Sequence, residues 1–159
     1  MTLTLSDLLA TGDRWIACLP ATPDDIARLE SELGLRVPGE LRAALLASNG
    51  LKLPHPYLDD PESAMLGLLD VDGIIDATRQ FRAHLLDGER PWRADVAPGR
   101  LLLIAETVFG DALAYLCDDA DPSAATLVQI HQDHRDGDSL DPLKGLTLLD
   151  LLADLGEED

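Results

Sequence analysis

Basic side chains are scarce in this sequence: 12 Lys and Arg stand against 30 Asp and Glu, a formal net charge of −18. Such a field repels phosphate backbones and anionic lipid, which argues against direct binding of nucleic acid or membrane. The scarcity is also uneven. Residues 1–100 carry 10 basic groups against 16 acidic ones, whereas residues 101–159 carry only Arg135 and Lys144 against 14, a net charge of −12. Two readings fit: an acidic surface that serves solubility, and one that meets a basic protein partner.

Other absences narrow the field. The aromatics (Trp15, Tyr57, Phe81, Trp92, Phe109 and Tyr115) are few and scattered, which disfavours a base-stacking platform. Core packing is expected for all but Tyr57 and Trp92, which fall in loop-like sequence and are candidate contact residues. Cys18 and Cys117 match no metal or redox spacing and read as small buried apolar side chains. No apolar run is long enough to cross a bilayer. Asp7 and Asp13 interrupt the N-terminal segment, so no secretory signal is read there and a cytoplasmic location is expected. A Gly-rich phosphate loop, a Gly-x-Ser-x-Gly elbow and a His-Glu-x-x-His helix are all missing, so the sequence presents no catalytic signature and calls for no cofactor.

What is present is hydrophobic patterning in a chain of 159 residues, a length that suits a single domain over 1–159 with its own core. Leu8, Leu9, Trp15, Ile16 and Leu19 predict a first helix from Ser6 to about Leu19, with Gly12 as a weak point where it can bend or break. Next, "TPDDIARLESELG" offers Thr22 as N-cap, Pro23 in the first turn, Asp25 to complete a capping box and Gly34 as a left-handed stop. A second short helix starts near Pro38, with Leu41, Ala44, Leu45 and Ser48 on one face. Asn49-Gly50, a hairpin signal in strand sequence, here follows a helical period and reads as that helix's stop.

Residues 51–64, with Pro54, Pro56 and Pro61, read as loop. "MLGLL" (65–69) reads as a strand, 71–86 as a helix with Ile74, Thr78, Phe81 and Leu85 on one face, and 101–106 with 112–117 as a hairpin around Phe109-Gly110-Asp111. "TLVQIH" (126–131) is a further strand. Thr147 and Asp150 repeat the capping-box pattern before a closing helix striped by Leu148, Leu151, Leu152 and Leu155.

One cluster bears on chemistry. "HQDHRDGDSLD" packs His131, Asp133, His134, Asp136, Asp138 and Asp141 into a short stretch. Three readings stand: a solvated acidic turn, a partner-binding turn, and a metal-assisted hydrolase site using His131, Asp133 and His134. A strand running through His131 would put His131 and Asp133 on one face and His134 on the other, which favours the first. Gln129 and His131 alternate with Val128 and Ile130, so His131 belongs to the polar side. His55 and His84 read as surface residues. Glu106 and Asp111 flank the hairpin turn, where turn chemistry accounts for Asp111 better than paired acid/base work does.

In order along the chain, Ile26, Glu30, Leu33, Gly34, Pro38, Leu45, Asn49 and Gly50, followed by the Gly110-Asp111 turn, resemble the SUKH superfamily, which includes cell-wall assembly regulators of the Smi/Knr type. The resemblance runs from about Leu5 to Leu155. It implies an α+β fold, a mainly antiparallel central sheet packed by an N-terminal helix pair, a middle helix and a C-terminal helix, without enzymatic activity or cofactor. Bacterial members look like immunity proteins that bind a cognate toxin, often a nuclease. Together with the charge, this makes a basic protein toxin the expected partner, contacted by Asp118, Asp119, Asp121, Asp133, Asp136 and Asp138. A scaffold or regulatory interaction module is the alternative.

Overall fold

The computed structural model describes residues 16–52, 67–86, 98–106, 112–117, 125–131, 139–143, 147, 148 and 150. Helix α1 (Pro23–Leu33) begins where its capping chemistry dictates. The Asp25 backbone N–H donates to the Thr22 hydroxyl at 3.2 Å, and the Thr22 N–H donates to the Asp25 carboxylate at 2.9 Å. At its other end Gly34 takes φ 67°, a left-handed conformation open to glycine, and its N–H reaches the Glu30 carbonyl. Ile26, Leu29 and Leu33 are the buried face. The Thr22 N–H, with the Thr22 hydroxyl adding to it, holds the Asp25 carboxyl below its ordinary range. A carboxylate lowered in this way favours the fold above its unfolded pKa, and that contribution fades as pH falls through the folded value. Titration of Asp25 by NMR is expected to give a midpoint below that of a free aspartate, and Thr22→Ala to raise it by removing the hydroxyl and loosening the cap.

Helix α2 (Gly39–Ala47) buries Leu41, Ala44 and Leu45, and α3 (Val71–Leu86) buries Val71, Ile74, Ile75, Thr78 and Phe81. The strands form two antiparallel sheets. Two-residue strands β1 (Ile16–Ala17), β2 (Leu51–Lys52) and β3 (Gly67–Leu68) make the small one. The larger is a meander of β4 (Leu101–Glu106), β5 (Ala112–Leu116), β6 (Thr126–His131) and β7 (Ser139–Pro142), in that order. A backbone bond from the Leu69 N–H to the Ile104 carbonyl (2.9 Å) joins the end of β3 to β4. Beside it, the buried Thr78 hydroxyl of α3 accepts the Leu103 N–H at 3.1 Å, so these two groups on the edge of β4 away from β5 have partners.

Both faces of the large sheet are buried over β4 and β5. Leu102, Leu113, Tyr115 and Leu127 face α1 and α2, while Leu101, Leu103, Ala114, Val128 and Ile130 form a second cluster with Phe81. Between Leu103 and Ala105 the register slips by a bulge, so Ile104 is the extra residue. The slip keeps Ile104 and Ala105 both on the helix side, where Ala105 pairs with Leu113. Farther along, the Thr147 and Asp150 side chains and backbone N–H groups bond reciprocally, and Leu148 is buried in the helix-side core, as the repeated capping pattern predicts.

The structure corrects three expectations. First, Ile16–Ala17 is strand paired with Leu51–Lys52, and residues 18–20 are not helical, so no helix extends to Leu19; residues 6–15 of that expectation lie outside the described residues. Residues 51 and 52, read as loop, are the other half of this pairing. Second, residues 139–141 of the acidic stretch, with Pro142, are a fourth strand of the meander.

Third, Asn49-Gly50 is not a simple helix stop. Helix α2 ends at Ala47, and Ser48 is extended (φ −153°, ψ 124°) and buried. The Ser48 hydroxyl accepts the Cys18 N–H (2.8 Å) and donates to the Gly50 carbonyl (2.6 Å). The Asn49 N–H donates to the Leu19 carbonyl, and the Asn49 side-chain oxygen accepts the Val71 N–H at 2.9 Å. This last bond caps α3 from a distant part of the chain, beside the local cap that Asp70 gives to the Gly73 N–H. The Asn49-Gly50 corner thus ties β1, α2, β2 and α3 together.

Candidate functional site

Across the helix-side face of the sheet, burial falls away from β4 toward β7. Ala105, Leu113, Gln129 and Asp141 form one cross-strand row by register, running from fully buried through half-buried to exposed. The adjoining row ends in His131 and Ser139. The helices therefore cover one side of this face and leave a polar corner on the β6–β7 hairpin. There the His131 Nε2 lies 2.8 Å from the Asp141 carboxylate, with side-chain exposures of 37% and 72%. On the opposite face Val128 and Ile130 are buried, so the alternation read from the sequence holds.

Inward from this corner, the Tyr115 hydroxyl donates to Glu40 of α2 at 2.7 Å. Burial, with the Glu40 carboxylate adding to it, pushes the phenol far above its ordinary range, so Tyr115 is a fixed donor that pins α2 to β5. The other end of the sheet carries arginine. The Arg100 Nε donates to the Cys117 carbonyl at 3.0 Å, and the Arg82 guanidinium spans the Leu33 and Gly99 carbonyls (3.0 and 2.9 Å). Burial pulls the Arg82 guanidinium down from its ordinary value. These roles had no local signal in the sequence, because each bond joins residues far apart in the chain. On the helix surface, Arg28 pairs with Asp72 at 2.7 Å and links α1 to α3.

Asp118, Asp119, Asp121, Asp133, Asp136 and Asp138 all lie outside the described residues, as do His134, Asp111, His55, Tyr57 and Trp92. The described strand ends that precede these segments in the chain can be compared. Cys117, after β5, lies beside Arg100, whereas His131, the last residue of β6, lies beside Asp141. These are opposite ends of β6, roughly 17 Å apart for a six-residue strand. Of the three residues considered for a metal, only His131 is described, and it is paired with Asp141 across the hairpin. Among the described residues no group of three or more His, Cys, Asp or Glu side chains is placed to hold a metal ion.

These features define an α+β fold in which Asp25, Asp70 and Asp150 cap helices and the Tyr115–Glu40 bond fastens α2 to the sheet. The chain belongs to the SMI1 / KNR4 family (SUKH-1), whose model matches residues 20–142. That span includes every described strand from β2 to β7 and all three described helices. No curated protein is similar enough in sequence to match the chain. Among the described residues, no helix is long and apolar enough to cross a membrane.

Proposed function

We propose that the protein is a non-catalytic binding protein of the cytoplasm, an immunity protein that neutralises a basic, nuclease-like toxin through its acidic surface. Family membership supports an interaction or immunity role. The observation that carries the finer reading is charge: −12 of the −18 falls in residues 101–159. A nuclease presents a basic groove to its substrate, and an acidic partner is steered onto such a groove at rates that fall steeply with salt. Asp118, Asp119, Asp121, Asp133, Asp136 and Asp138 are the proposed contacts. The exposed Asp141 adds a carboxylate at the β6–β7 end.

The test is binding of any toxin domain that a reading frame adjacent to this one is found to encode. Association is expected to slow by roughly tenfold or more between low salt and 1 M, where the screening length shrinks to about 3 Å. Two variants of equal charge then separate contact from steering: one with Asp118, Asp119 and Asp121 changed to Asn, the other with Asp133, Asp136 and Asp138 changed. Both lower the on-rate, while faster dissociation marks the end that touches the toxin. Salt-independent binding, or none, removes the proposal, and a pull-down that returns only host proteins supports the scaffold alternative.

A further inference from the structure

Asn49 is the chain's single asparagine, and it precedes a glycine, the neighbour least able to obstruct attack on its side chain. In an unfolded chain this dipeptide deamidates. The Gly50 nitrogen attacks the Asn49 side-chain carbonyl carbon, its proton leaves with the amide as ammonia, and a succinimide closes. Water then opens the ring at either carbonyl, giving aspartate or isoaspartate. The fold opposes the first step by holding the nucleophile's N–H and by fixing the orientation of the side chain it would attack. The donor on the side-chain oxygen polarises that carbonyl, so its part in the protection is geometric. The Gly50 N–H is committed to the Ser48 carbonyl at 2.8 Å, and the Asn49 side-chain oxygen to the Val71 N–H at 2.9 Å. The Asn49 N–H is held by Leu19, and Gly50 is buried against the backbone of Leu68 and Asp70.

We propose that Asn49 is a spontaneous modification site which the native fold keeps closed and unfolding opens. Its two products have different fates. Aspartate keeps an oxygen for the Val71 N–H, at a helix N-terminus where negative charge is favoured. Isoaspartate adds a methylene to the backbone where Gly50 has no room to shift, since an added Cβ there would already lie 2.9 Å from the Leu68 carbonyl oxygen. Unfolding that lasts long enough for the reaction is therefore recorded covalently, and part of the chain loses its route back.

The test incubates the full chain at mildly alkaline pH, folded in buffer and unfolded in urea, and follows the Asn49 peptide by mass spectrometry. Conversion in the folded chain is expected to be at least about tenfold slower, equivalent to about 1.4 kcal/mol of local opening free energy. Equal rates, or no conversion in urea, overturn the proposal. After removal of urea the isoaspartyl fraction should remain unfolded by circular dichroism, while an Asn49→Asp variant folds. An isoaspartyl chain that refolds, or an Asn49→Asp variant that does not, overturns the assignment of the two fates.

Discussion

Replacing Gly50 by alanine is expected to lower the unfolding free energy by about 3–5 kcal/mol, among the largest losses a single methyl can cause. Two effects add. At φ 90° the backbone is in a region that an L side chain enters only with strain. The new Cβ would also stand 2.9 Å from the Leu68 carbonyl oxygen and 3.0 Å from the Asp70 nitrogen, both backbone atoms that cannot rotate away. Relief of the contact would pull β2 from β3 and move Asp70, whose side chain caps α3. Gly34 is the internal control. It has φ 67° but nothing within 4 Å of an added Cβ, so Gly34→Ala is expected to lose only about 1–2 kcal/mol. Urea denaturation of the two variants separates steric from conformational cost: similar midpoints would mean that the Gly50 corner relaxes freely.

The contrast between these glycines also marks how far the sequence could be read. Gly34 was legible because everything that defines it is local: the Thr22–Asp25 box starts the helix, the apolar face has period 3.6, and the glycine follows the last turn. Gly50 carries a similar local signal but a different role, since its neighbours are Leu68 and Asp70, brought there by pairing of β2 with β3. Ser48 is similar. It falls on the buried face by spacing, and it is buried, yet as a polar hub whose partner Cys18 is thirty residues away. Strands β4 and β5 were legible from apolar runs and β6 from its alternation. Strand β7 was not, because Pro142 resembles punctuation. The Leu143 N–H donates to Leu127, which turns the Pro142 nitrogen away from β6 and makes proline acceptable on this outer strand. At the candidate site the polar placement of His131 follows from alternation, whereas its pairing with Asp141 depends on the hairpin register.

The second large effect is expected at Ile104. Its side chain is fully buried in the helix-side core, and Ile104→Ala leaves the backbone bond to Leu69 in place while opening a cavity. A loss of about 3–4 kcal/mol is expected, with Ile104→Val near 1 kcal/mol. Because a bulge residue has no partner across the ladder, nothing in β5 can move to fill the space without breaking the register from Leu101 to Leu103. Ile104 lies across the sheet from the β6–β7 corner, so a chain weakened there should keep its partner affinity below its lowered melting temperature. Neutralising Asp133, Asp136 and Asp138 should do the reverse, changing affinity while leaving the melting temperature unchanged or raised, since it relieves mutual repulsion in a chain of charge −18. A melting curve and a dissociation rate measured on both variants test that separation. If Ile104→Ala weakened binding at a temperature where the chain remains folded, the contact surface would have to include the helices that cover this core, and the six aspartates would no longer account for it.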